Sequence, residues 1–269
     1  MSAAGESNLL DGSANRACAP IGRSMQSGDT GTRGMHEFSG RIPQDCTQIL
    51  GLSFRSYGWF NVMAQIARYN EYIFGADQEP AFRYHKRVLK LLQWKNPRKQ
   101  WVLKDPTHLE KMTTVLKVYP DACFVWPHRD PVKSVASTIS IIGTMLWGRT
   151  DTPFKGSSFD QYTDPYGAGK RLTDVIDQLE SGEVPKDRVF SILYRDLVDH
   201  PVATAARIHE YFHLAFTDES RAAMEDYVRR NPRTARPPHK VDLETKAAVD
   251  RDRLAFKRYQ DYFGVPNEI

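Results

Sequence analysis

Residues 101–137 read WVLKDPTHLEKMTTVLKVYPDACFVWPHRDPVKSVAS. Two short apolar runs, Trp101–Lys104 and Cys123–Trp126, are each followed by a polar turn and a helix-forming stretch. Apolar runs of this length without alternation suit strands covered on both faces. The first helix is predicted from about His108 to Val118, with Pro120-Asp121 as the turn behind it. The second opens at Pro131, a first helical position where a missing N–H costs nothing. A third strand is predicted at Arg188–Tyr194, ahead of a helix from Pro201 to about Phe212. Short strands alternating with helices give an α/β fold with a parallel sheet flanked by helices. Ligands of such sheets bind beyond the C-terminal ends of the strands.

Outward from this stretch, Asp45–Tyr72 reads largely as helix, broken near Tyr57-Gly58. Pro80 opens a helix to about Trp94, which Asn96-Pro97 stops. Gly148–Gly169 is read as loop and Arg171–Ser181 as a helix ending at Gly182. Two further helices are predicted, from about Thr217 to Arg230 and from about Glu244 to Phe263 before Gly264. The first 35 residues differ: Met1–Met35 contains no Phe, Tyr or Trp, and its apolar residues show no period. It is expected to be a disordered or non-native tail, with patterned chain from near His36. It lacks the apolar run of a signal peptide and the acid-free character of a transit sequence.

The composition, with 41% hydrophobic and 26% charged residues in 269, is that of an ordinary globular protein and excludes fibrous and coiled-coil classes. No run reaches the roughly 18 apolar residues of a membrane span. The three cysteines, Cys18, Cys46 and Cys123, are too sparse and unpatterned for a disulfide framework or a zinc site. They suit a reducing compartment, so a cytoplasmic location is expected. The net charge of +4 fits an anionic small ligand and does not by itself indicate nucleic acid. Arg83–Lys104 carries eight Lys or Arg and no acid; a solvated helix face explains this better than a field built for a cofactor.

Chemistry is sought at the strand ends. The first run ends at Lys104, and Thr107 and Glu110 have capping-box spacing, which puts His108 in the first turn of a helix. There the positive end of the helix dipole disfavours the imidazolium, as a general base requires. Position alone favours a plain surface histidine, and Lys104 could be an ordinary strand-end lysine. The second run ends in His128-Arg129-Asp130-Pro131, with Asp130 as N-cap. Arg129 thereby stands where free helix N–H groups offer an anion site, and Ser137 follows two turns into the helix. An Arg–Asp surface pair with a small packing serine fits the same spacing.

The ordered set W-V-L-K-x-P-x-H-L, Y-P-D-A, H-R-D-P and a later Ser resembles the bacterial branch of the sulfotransferases that use 3′-phosphoadenosine 5′-phosphosulfate. Leu193-Tyr194-Arg195-Asp196-Leu197-Val198 with Pro201 resembles the family's Y-x-D-L-V-x-x-P. The resemblance covers about Pro43 to Phe263, and the sulfotransferase-like domain is taken as 36–269. It implies a P-loop-NTPase-like fold and transfer of a sulfuryl group from the nucleotide co-substrate to a hydroxyl or amine of a small molecule. By resemblance, His108 is the catalytic base and Lys104 lies near the transferred group. Arg129 and Ser137 bind the nucleotide 3′-phosphate, and Tyr194 packs at the adenine. One late cation among Arg229, Arg230, Arg233, Arg236 and Lys240 would close over the nucleotide. No metal is implied. The family's first βα unit, with a loop like R-[ST]-G-T-T, is expected upstream of His36 and is not read there; Gly28–Arg33 has similar letters but no strand before it. The chain is therefore expected to be N-terminally incomplete. The alternative expectation is a truncated, non-catalytic relative that binds nucleotide weakly or serves as an interaction protein. The acceptor and the oligomeric state are not legible.

Overall fold

The computed structural model describes residues 44–56, 58, 60, 66–97, 99–147, 160–235 and 245–269. The tail 1–35, the Gly28–Arg33 stretch, Arg236 and Lys240 lie outside these. The described elements begin with α1 (Cys46–Gly51), α2 (Ala67–Gly75) and α3 (Glu79–Gln93). A 3-10 turn at Leu109–Lys111 leads into α4 (Met112–Val118), followed by β1 (Phe124–His128) and α5 (Pro131–Trp147). After α6 (Asp160–Thr163) and α7 (Pro165–Glu180), β2 (Val189–Leu193) precedes α8 (Tyr194–Asp199), α9 (Pro201–Tyr211), α10 (Asp218–Arg230) and α11 (Lys246–Phe263).

β1 and β2 pair in parallel, with Phe124 opposite Val189 and His128 opposite Leu193. The connection between them runs through helices, as a parallel pair requires. The sheet packs on α7 and α11: Met112, Trp126, Val175, Ile176, Leu179, Val189, Tyr259 and Val265 share one core. A second cluster joins α1, α3 and α4 through Leu50, Ala81, Phe82, Val115 and Val118, and Phe124 of β1 packs against it. In α3 the buried positions are Ala81, Phe82, His85 and Leu89, one face at helical spacing.

The caps follow the sequence. Asp130 Oδ1 accepts from Val132 N at 3.1 Å, Thr217 Oγ1 from Ser220 N at 3.1 Å, and Thr245 Oγ1 from Ala248 N at 3.4 Å. Gly264 takes φ +63° beyond α11, and Val265 N–H returns to the Gln260 carbonyl at 3.0 Å.

Three expectations are corrected. Trp101–Lys104 is not a strand; it is irregular, with Val102 93% exposed, and no strand pairs with it among the described residues. An apolar run becomes a strand only where a ladder partner and a covered face exist, and sequence pattern does not reveal the partner. The helix predicted from His108 starts at Met112, after a 3-10 turn. Thr107 does not cap it: its N–H and hydroxyl both donate to Asp105 Oδ1, at 2.8 and 2.6 Å, in a local turn. Finally, the predicted loop Gly148–Gly169 is helical in its last part, because Asp164 caps α7 through Gly167 N at 2.8 Å. Gly169 serves packing. A Cβ on Gly169 would stand 2.2 Å from the Ala255 carbonyl oxygen, so glycine lets α7 and α11 approach.

Candidate functional site

The parallel register positions the first cluster. His128 and Leu193 are paired at the C-terminal ends of the strands, so the residues that follow them, Arg129 and Tyr194, leave the sheet side by side. The Arg129 guanidinium carbon lies 4.6 Å from the centre of the Tyr194 ring. Arg129 Nε donates to both carboxylate oxygens of Glu268 at 3.1 Å, and Nη2 to Oε2 at 3.1 Å. Lys133 Nζ reaches the same oxygen at 3.0 Å. Burial alone would raise the Glu268 pKa, but the hydrogen bonds from Lys133 and Arg129 and their charges outweigh it, and the carboxyl is held below its ordinary range. Ser137 sits half-buried in α5, two turns beyond Arg129.

Beneath this pair lies a rigid floor. Asp130 is fully buried; it caps α5, pairs with Arg253 at 3.2 Å and accepts Glu268 N at 2.8 Å. His128 is buried against Phe263, ring centres 4.1 Å apart, and meets the Tyr259 hydroxyl at 3.0 Å through Nδ1. Burial lowers its pKa to about 4, so it is neutral at pH 7.

The second cluster surrounds the 3-10 turn. Lys104 Nζ pairs with Asp45 Oδ2 at 2.7 Å, and Cys46 N donates to the Lys104 carbonyl at 2.9 Å. The His108 ring packs near Phe82, centroids 5.7 Å apart, and its Nε2 is buried without a hydrogen-bond partner among the described residues. Its pKa is lowered, first by burial; Asp105 and Asp45 oppose that shift without reversing it. The imidazole is therefore neutral, as expected, but for a corrected reason: desolvation rather than a helix dipole holds it so. His85 lies fully buried nearby, bonded through Nδ1 to the Tyr119 hydroxyl at 2.7 Å, its pKa lowered to about 4 by burial and by His108. The thiol of Cys46 is pushed up to about 12 by burial and by Asp105.

A small, solvent-open cleft adjoins this turn, lined by Leu50, Ile73, Phe74 and Phe82 with Thr107, Glu110 and Lys111. Glu110 is fixed there by Arg171 at 2.8 Å and by the Tyr162 hydroxyl at 3.1 Å. Arg171 in turn covers the Tyr162 ring at 3.9 Å.

The structure thus gathers Arg129 with Tyr194, and places Lys104 and His108 around one turn bearing Asp105. Of the late cations, Arg229 and Arg230 pair with Asp226, and Arg233 is exposed. Sequence reading missed Lys133, Glu268 and Arg253. The i,i+4 spacing of Arg129 and Lys133 was the available signal for one of them. Nothing local marks Glu268 or Arg253, which meet the site from more than a hundred residues away. Among the described residues, no group of three or more His, Cys, Asp and Glu side chains could hold a metal ion, and no helix is long and apolar enough to cross a membrane.

A family model described as "Sulfotransferase family" matches residues 12–218. The omega-hydroxy-beta-dihydromenaquinone-9 sulfotransferases Stf3 of Mycobacterium tuberculosis and Mycobacterium bovis are 24% identical over 172 residues, covering 60% of this chain and 42% of theirs. The chain spans less than half the length of these curated relatives. Among solved structures, sulfotransferase STF9 of Mycobacterium avium superposes with a TM-score of 0.64 at 22% identity, over 95% of this chain and 66% of that one. Sulfotransferase STF1 of Mycobacterium tuberculosis gives 0.65 at 24% identity, over 90% and 62%. These likenesses establish the fold, an α/β sulfotransferase fold with a parallel sheet. Since the family match runs through well over half of its length, the chain belongs to the sulfotransferase family.

Proposed function

We propose that this chain takes part in sulfuryl transfer from 3′-phosphoadenosine 5′-phosphosulfate to a hydroxyl or amine of a small molecule, with His108 as general base. The observation that carries the reading is the anion seat at the sheet's C-terminal edge, where Arg129, stacked on Tyr194, grips a carboxylate with three charge-assisted contacts. The same donors fit a phosphate group. In this reading Arg129 and Ser137 hold the nucleotide 3′-phosphate and Tyr194 offers an aromatic face to the base. The nucleotide supplies an activated sulfuryl group and the oxygen that leaves with the bonding electrons.

Lys104, with its side chain 63% exposed, brings a cation to the neighbourhood of the transferred group. His108 is kept neutral by burial, and its unpartnered Nε2 is the atom that accepts the acceptor's proton. The cleft beside the 3-10 turn is the acceptor site in this reading. Its walls of Leu50, Ile73, Phe74 and Phe82 suit an alcohol with an apolar body, in keeping with the hydroxylated dihydromenaquinone for which the mycobacterial relatives are named. The sparse cysteines support a reducing, cytoplasmic setting for this reading. The partners of the reading are small molecules rather than nucleic acid.

The test is a radiolabelled sulfuryl-transfer assay over phenols, apolar alcohols and amines, paired with calorimetry on adenosine 3′,5′-bisphosphate. His108→Ala should lower turnover by about 10²–10⁴-fold and leave nucleotide affinity unchanged. Arg129→Ala should weaken the nucleotide by roughly 1.5–3 kcal/mol. Equal turnover by wild type and His108→Ala, or equal affinity in Arg129→Ala, would overturn the corresponding role.

A further inference from the structure

Arg129, just ahead of α5, and Lys133, in its first turn, converge on a single carboxylate, that of Glu268. The carboxylate is presented by a fixed segment. Glu268 N–H is anchored on buried Asp130 at 2.8 Å, Asn267 accepts from Gln260 at 2.8 Å, and Arg253 reaches both Asn267 and the Ile269 carbonyl. Val265, at the root of the segment, lies in the core. Two cations thus face one negative charge, with two planar oxygens set where a larger anion would fit. A phosphate monoester, at about −1.5 to −2 charges near neutral pH, balances this pair of cations better than a carboxylate does.

We propose that Lys133 binds the same phosphate as Arg129, and that Glu268 fills this two-cation seat, so that a nucleotide's 3′-phosphate enters by displacing the Glu268 carboxylate. The proposal rests on the nucleotide reading above for the identity of the ligand, but not for the seat itself. It assigns Lys133 a binding role and gives residues 265–269 an autoinhibitory one. It also explains a cost: each nucleotide bound must break three contacts from Arg129 and one from Lys133 to Glu268 before making its own.

Three variants of the full chain separate the possibilities. Glu268→Gln removes the competing charge. Asn267→Ala loosens the same segment while keeping that charge. Lys133→Ala, made in the Glu268→Gln background, removes the second cation. Calorimetry with adenosine 3′,5′-bisphosphate should show about tenfold or greater tightening in Glu268→Gln, the scale of one charge-assisted contact. Adenosine 5′-monophosphate, which lacks the 3′-phosphate, should show little change. Adding Lys133→Ala should undo most of the gain, and Asn267→Ala, which keeps the competing charge, should give a clearly smaller one. In parallel, inorganic phosphate should raise the melting temperature of Glu268→Gln at lower concentration than that of wild type. Should phosphate discriminate between the two proteins while the bisphosphate binds neither, the seat and its occupant stand and the nucleotide reading falls. Should the bisphosphate bind both equally, the nucleotide reading stands and the displacement is overturned. An equal gain in Asn267→Ala would also overturn it, since loosening rather than charge would then be the cause. So would the absence of discrimination by either anion.

Discussion

The two halves of the candidate site are stabilised in opposite ways. Around Arg129 the charges are present and matched: Arg129 and Lys133 with Glu268, Arg253 with Asp130. Around His108 the two histidines are held neutral by removal from water, and polar atoms remain without partners among the described residues: His108 Nε2, His85 Nε2 and Asp105 Oδ2. A matched ion network holds geometry and resists change. A desolvated cluster with spare lone pairs stores the capacity to take up a proton, at a standing cost in stability. In the proposed function the first region is the grip and the second the place of proton chemistry.

The sharpest way to break the first region is at Asp130. Its carboxylate is fully buried, caps α5, and is the common partner of Arg253 and the Glu268 amide. Asp130→Ala leaves Arg253, only 14% exposed, short of its charge partner. Breaking a buried pair from one side costs about 3–5 kcal/mol. Urea unfolding should show that loss, with Asp130→Asn recovering part of it by keeping the cap. A loss below about 1 kcal/mol would mean that the network is not the floor of the anion seat.

Acid tests both regions at once, since His85 lies in one and His128 in the other. His85 and His128 both have pKa values lowered from 6.5 to about 4, chiefly by burial. Between those values the unfolded chain binds protons that the folded chain refuses. Stability should therefore be flat above about pH 6.5, fall as the pH drops towards 4, and level below that for these two groups. Two such shifts amount to a few kcal/mol in all. Denaturation measured at pH 7 and pH 5 should show the fall, and His85→Gln and His128→Gln should each flatten part of it. A slope unchanged in both variants would place the acid sensitivity elsewhere.

What the sequence revealed depended on how local the cause was. β1, β2, α3 and α5 were legible because apolar runs, a proline at the helix start and a capping aspartate act within a few residues. Arg129 and Tyr194 could be placed at strand ends, and a parallel register then brings them together. Trp101–Lys104 misled because its letters match a strand while its pairing depends on a neighbour that local pattern does not name. Thr107 misled because Asp105, two residues earlier, competes for its N–H and hydroxyl and wins. Glu268, Arg253 and Asp45 could not be found by pattern at all, since each meets its partner through tertiary folding. The proposed roles of His108, Lys104 and Ser137 came from family resemblance, because local pattern does not distinguish them from a surface histidine, a strand-end lysine and a packing serine.

The smallest expected effect sharpens the contrast at Lys104. Its pair with Asp45 looks strong by distance, 2.7 Å, yet the lysine side chain is 63% exposed. Solvent screens such a pair, and holding a long side chain in one rotamer offsets most of what remains. Lys104→Ala should therefore change stability by about 1 kcal/mol or less, far below the change in Asp130→Ala. In the proposed function its role is electrostatic and is seen only in turnover: a cation near a sulfuryl group counts where charge develops. The measurement is a pair of numbers from one preparation, the urea midpoint and the rate of sulfuryl transfer. A near-normal midpoint with a strongly reduced rate assigns Lys104 to the chemistry. A near-normal midpoint with a normal rate makes it a surface lysine on Asp45. A large loss of stability would contradict the separation between a charge-matched grip and a solvent-exposed cation, because an exposed pair has no desolvated partner to leave behind.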